Sequence, residues 1–181
     1  MSTQTHLMTA EELFQLPDDG CRHELIKGEL LTMSPSGREH GIVIGRLSRK
    51  LGNYIEAQQL GEILGAESGF KLETDPDTVL APDIAFLSNE RLRIATNSFH
   101  PGAPELVVEV LSPSDRKKEV EQKTRIWLAL GALAVWLVDP KEKTMDVRLA
   151  NGERRTFTET DELADDVVVR GFRVRVAEIF P

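Results

Sequence analysis

Between Arg38 and Leu60 the apolar residues fall at every fourth position: Val43, Leu47, Leu51 and Ile55, with Ile44 and Tyr54 flanking. That spacing draws one apolar stripe along a helix. Arg46, Arg49, Lys50 and Glu56 lie off the stripe, and Gly45 and Gly52 weaken the helix without forbidding it. Upstream, Thr9 and Glu12 have the spacing of a capping box and open a short helix that ends by Pro17 to Gly20. His23 to Met33 reads as a hairpin around a Lys27-Gly28 turn. Short strands follow at Glu62 to Leu64, Ser68 to Glu73 and Asp83 to Leu87, then a connection over 88 to 104. Glu105 to Leu111 is mostly apolar with one carboxylate inside, as in a strand covered on both faces. Ser114 or Asp115 caps a second long helix to about Leu130, which Gly131 ends. Ala134 to Val138 is another buried strand, and residues 143 to 176 alternate like antiparallel strands.

This order predicts one mixed α/β domain over residues 9 to 181, with residues 1 to 8 as a flexible tail. A chain of 181 residues buries about 70% of its unfolded surface, enough for a single core. At 40% hydrophobic and 29% charged it has the composition of a soluble globular protein. Its longest apolar run, Leu128 to Val138, is too short for a bilayer, and the first 20 residues hold no apolar signal segment. The expectation is a cytoplasmic protein with no membrane partner. The lone Cys21 excludes an internal disulfide and a cysteine-based zinc cage. The net charge of -8 argues against a generic nucleic-acid coat. It leaves room for local basic strips: Arg46, Arg49 and Lys50 on one helix, and Arg116, Lys117, Lys118, Lys123 and Arg125 on the other.

Glu109 is the most informative residue. It shares a strand face with Val107 and Leu111, where an ionised carboxylate is costly unless a metal, a Lys or an Arg meets it. A second carboxylate, Asp83, opens another apolar strand directly after Pro82. Two carboxylates on adjacent strands suit Mg²⁺ or Mn²⁺, which take hard oxygen ligands. Taken singly, each is better explained by a buried ion pair or an exposed strand start.

Pro82-Asp83 followed by Glu109 on an apolar strand resembles the PD-(D/E)xK nuclease signature. More specifically, the chain resembles the Uma-two family, which is endonuclease-like. The blocks that carry this are Thr9 to Glu12, His23 to Leu30, His40 at the start of the long helix, and Ala81-Pro82-Asp83. Leu106 to Ser114, Lys123, Trp136 to Pro140, Gly171-Phe172 and Phe180 complete it. The resemblance implies a restriction-endonuclease-like core, a mixed central sheet flanked by two helices, with an N-terminal hairpin and a C-terminal antiparallel β appendix. It implies Asp83 and Glu109 as ligands of Mg²⁺ or Mn²⁺, with Glu24 as a further acid of the site. The superfamily expects Lys two residues after Glu109, but Leu111 stands there. The resemblance implies that Lys123 of the following helix takes over that role. Lys123 falls on one stripe with Glu119 and Trp127, which permits it to reach the carboxylates. His40 would orient water or phosphate.

The activity implied is metal-dependent phosphodiester hydrolysis with DNA as substrate, and a homodimer would bring two sites to a duplex. Leu111 favours a competing reading, a catalytically inactive nuclease fold that binds DNA or protein. A third reading is a hydrolase of a small phosphorylated substrate. Ser114 to Lys117 matches S-x-x-K, but the companion motifs of that enzyme class are absent. The four histidines lack zinc spacing. Glu159, Asp161, Glu162, Asp165 and Asp166 read as a solvated acidic turn, with Ca²⁺ as the alternative.

Overall fold

The computed structural model describes residues 6 to 181. Of the expected tail, residues 1 to 5 lie outside the described residues, while the Met8 N–H bonds the Gly28 carbonyl at 2.9 Å. The Thr9–Glu12 capping box forms, and opens α1 (Ala10–Phe14). The hairpin is β1 (Arg22–Ile26) and β2 (Glu29–Met33), antiparallel across a turn with Lys27 at φ 54° and Gly28 at φ 78°. Two positive φ angles give a turn whose twist suits a two-residue hairpin. Then come α2 (Arg38–Ala57), β3 (Gly61–Gly65), β4 (Phe70–Glu73), β5 (Thr78–Leu80) and β6 (Ile84–Ser88). After a 3₁₀ turn follow β7 (His100–Pro101), β8 (Leu106–Val110), α3 (Lys117–Ala129) and β9 (Ala134–Asp139). The chain finishes with β10 (Thr144–Leu149), β11 (Arg154–Thr158), β12 (Glu162–Asp165), β13 (Phe172–Arg175) and a 3₁₀ turn.

The central sheet has six strands in the order β11-β10-β9-β8-β6-β3, parallel only between β8 and β9. That parallel pair needs a crossover, and α3 is the crossover. α2 covers one face: Val43, Leu47, Leu51 and Ile55 pack with Ile84, Leu106, Val108, Trp136 and Val138. α3 covers the other face through Trp127, with Val107, Val135 and Leu137 beneath it. Burying each such side chain contributes roughly 1.5–3 kcal/mol. A second sheet, β2-β1-β5-β4-β7, lies alongside and buries Leu25 and Val79 against α1.

Several elements differ from the sequence reading. The 143 to 176 segment is not one appendix: β10 and β11 extend the central sheet, and only β12 and β13 form a separate hairpin. β5 and β7 escape a pattern reading because they are three and two residues long. The N-terminal hairpin supplies two of the five strands of the second sheet. The second long helix starts at Lys117 with Arg116 as its cap residue, because Asp115 turns its side chain back to the Ser112 N–H at 2.8 Å. The acidic turn is organised by Asp165, whose carboxylate accepts the N–H groups of Val167, Val168 and Val169. With its oxygens spent on backbone, Asp165 is a loop anchor.

Candidate active site

The second sheet brings β1 to the end of β6. β1 and β5 pair through Leu25 and Val79, and β5 runs on through Ala81 and Pro82 to Asp83. Strand alternation then separates the faces of β1. Leu25 points to α1, while Arg22 and Glu24 point to the opposite side. β6 and β8 pair antiparallel, so Asp83 meets the end of β8 and accepts the Val110 N–H at 2.8 Å. α3 lies over this edge and lowers Lys123 towards the carboxylates.

Lys123 Nζ lies 2.8 Å from Glu24 Oε1 and 2.9 Å from Glu109 Oε1. Glu24 Oε1 also accepts the Ala81 N–H at 2.8 Å, and Glu109 Oε1 the Trp127 indole N–H at 3.0 Å. Asp83 has its own cations: Arg22 lies 3.0 Å from Oδ1 and His40 Nε2 3.2 Å from Oδ2. Glu24 is 2% exposed and Asp83 3% exposed, so both carboxylates are sequestered.

The five residues singled out in the sequence, Asp83, Glu109, Lys123, Glu24 and His40, therefore stand together. Sequence reasoning missed Arg22 and Trp127. Arg22 was within reach, since it lies two residues before Glu24 and so on the same strand face. Trp127 read as core, and it is core, fully buried. Its N–H toward Glu109 has no signature in a hydrophobic stripe. The proposed basic strip is not assembled as expected. Arg46 donates to the Phe180 carbonyl and Lys50 pairs with Glu178, so these α2 bases hold the C-terminal segment. Lys123 is inside the site.

The electrostatics divide the acids. Burial pushes Asp83 upward, but the hydrogen bonds from His40 and Val110 and the charges of His40 and Arg22 outweigh it, leaving its carboxyl below the usual value. Glu109 goes the other way. Burial is its largest influence, Lys123 opposes it, and the nearby charges of Asp83 and Glu24 add to it, so it is pushed up to about 7. Burial works against the charge of Lys123, yet Glu109 and Glu24 raise its pKa overall. Burial likewise opposes His40, and the hydrogen bond to Asp83 carries it above its ordinary value. Acids that separate in this way are a common basis for acid–base chemistry.

The donor set fits a hard divalent cation. It consists of carboxylate oxygens, and Glu109, raised chiefly by burial, also feels the charges of Asp83 and Glu24. Among the described residues no three His, Cys, Asp or Glu side chains form a ready ligand group. Mg²⁺ does not require one, because it commonly takes one or two carboxylates and keeps several waters.

The family model described as "Uma2: Putative restriction endonuclease" matches residues 10 to 177. The chain belongs to this family. Among solved structures it is similar to the crystal structure titled a "putative nuclease belonging to DUF820" from Anabaena variabilis, with a TM-score of 0.80. The two share 22% identity, over 96% of this chain and 97% of that one, so the likeness shows a common fold. No curated protein matches the chain.

Proposed function

We propose that the protein is a metal-dependent endonuclease that hydrolyses phosphodiester bonds in DNA. The observation that carries this reading is Lys123. The strand slot of the superfamily lysine holds Leu111, and an ammonium from α3 stands instead between Glu24 and Glu109. Asp83 and Glu109 would hold Mg²⁺ or Mn²⁺, with Glu24 joining through the oxygen not bonded to Ala81 and Lys123. When bound, the metal supplies charge neutralisation at the scissile phosphate and a more acidic water.

The chain's own residues prepare the rest. Glu24 holds Lys123 in place, and Lys123 donates to the attacking water or to charge developing on the phosphate. His40 donates to Asp83 from the first turn of α2 and fixes its second oxygen. Arg22 prevents Asp83 from rotating away. Trp127 fixes Glu109 Oε1, which leaves Oε2 as the free ligand atom.

A plasmid-nicking assay tests this. Lys123→Ala loses activity by about 10²–10⁴, the usual worth of a positioned catalytic group, at saturating Mn²⁺ and at a pH above the Glu109 titration. A second reading, a nuclease fold without activity, is favoured by Arg22 on Asp83. It predicts no metal-dependent nicking by the wild type, nor any difference between wild type and Lys123→Ala.

A further inference from the structure

The α3-side face of the central sheet continues past Glu109 as a straight cross-strand row. Glu109 pairs with Leu137 on β9, Leu137 with Asp146 on β10, and Asp146 with Thr156 on β11. Three strand spacings carry this row about 14 Å away from the carboxylates. α3 covers only its beginning. Beyond that lies an open trough of about 760 Å³, and His40 is in its wall as well as on Asp83. Of the site residues only His40 lines the trough, so the two adjoin through that side chain.

Its lining has an apolar floor and a rim on which five Arg or Lys side chains stand among five Asp or Glu, the exposed Glu39 included. Leu137, Val120 and Pro113 contribute the floor. The acids of the trough are largely spent within the protein. Glu121 holds Arg148 through two hydrogen bonds of 2.5 and 2.7 Å, and Asp146 binds both Arg148 and Arg154. Asp139 accepts the N–H groups of Lys141 and Glu142, and Asp115 that of Ser112. Arg154 is fixed only through Nε, so its terminal N–H groups face outward from an exposed side chain. Lys117 and Arg38 stand exposed on the rim.

We infer that this trough binds one unpaired nucleic-acid strand on one side of the scissile phosphate, with Arg154 and Lys117 on its phosphates. The inference rests on the nuclease reading and adds to it the form of the substrate. A duplex presents phosphates outward and leaves the apolar floor without a partner. An unpaired strand turns its bases onto that floor while its backbone meets the rim. Among the described residues no Phe, Tyr or Trp lines the trough, so binding comes from charge and burial rather than stacking on such a ring.

Fluorescence anisotropy in EDTA tests this with a labelled 12-nucleotide single strand and the matching duplex. The wild type binds the single strand more tightly than the duplex. Arg154→Glu and Lys117→Glu each weaken single-strand binding about tenfold, and each lowers the salt slope by roughly 0.7, the loss of one phosphate contact on a single strand. The Mn²⁺ affinity and thermal midpoint of Lys117→Glu stay at the wild-type values, because Lys117 makes no hydrogen bond or ion pair among the described residues, whereas Arg154→Glu also loses its ion pair with Asp146 and its midpoint falls. Equal affinity of both variants and wild type overturns the trough, as does preference for the duplex. Should the wild type bind neither probe and nick nothing, the nuclease reading fails with it. Nicking by a wild type whose variants bind unchanged removes the trough alone.

Discussion

Glu109 and its neighbours define the chemistry at the scale of single residues. A carboxyl pushed up to about 7 carries a proton over much of the acidic range, and that proton must leave before a metal binds. Mn²⁺ affinity therefore rises about tenfold per pH unit below 7 and levels off above it, measured by calorimetry at several pH values. In Glu109→Gln the affinity is weak and nearly independent of pH. Trp127→Phe keeps the buried ring but removes the N–H that favours the charged carboxylate. The pH at which its Mn²⁺ affinity levels off moves upward, and affinity at high pH recovers, a pattern a purely structural defect does not produce. At this scale much of the site was legible. Asp83, Glu109, Lys123, Glu24 and His40 stood out through apolar surroundings, strand starts and the family pattern. Arg22 shares its strand face with Glu24, but the sequence does not say that β1 pairs with β5 and so comes beside Asp83. A hairpin charge becomes a site residue only through that long-range pairing.

At the scale of elements, periodicity served well where elements are long. The stripe Val43, Leu47, Leu51 and Ile55 is fully buried on the central sheet. Leu47→Ala costs about 2–5 kcal/mol for the lost burial and the cavity, read as a fall in the urea midpoint with little change in slope. The strand that carries Glu109 was legible because both of its faces are covered. β5 and β7 were not, since two or three residues have no period. Membership of a sheet was also beyond the pattern: alternation marks β10 and β11 as strands but says nothing of their joining β9. The same limit explains the basic residues of α2. Their helical spacing was clear, but the C-terminal segment that binds Arg46 and Lys50 arrives from more than 100 positions away.

At the scale of the whole molecule, the fold places three carboxylates and two strong cations in one dry seam between two sheets and a crossover helix. An excess of acid in such a place opposes folding as pH rises. Glu109 binds its proton more tightly folded than unfolded, so its contribution is present at low pH and declines between its ordinary value near 4.5 and its folded value near 7. Denaturant titrations of wild type and Glu109→Gln thus diverge over that window, with a relative loss for the wild type of about 3 kcal/mol. The measurement that tests the account most directly is a Mn²⁺ titration of wild type and Glu109→Ala at pH 8, with plasmid nicking followed in the same buffer. The account predicts one saturable site in the wild type, its loss in the folded variant, and nicking by the wild type alone. Wild-type protein that takes up no Mn²⁺, or a variant that binds it equally well, would contradict it: Lys123 would then be the permanent partner of Glu109.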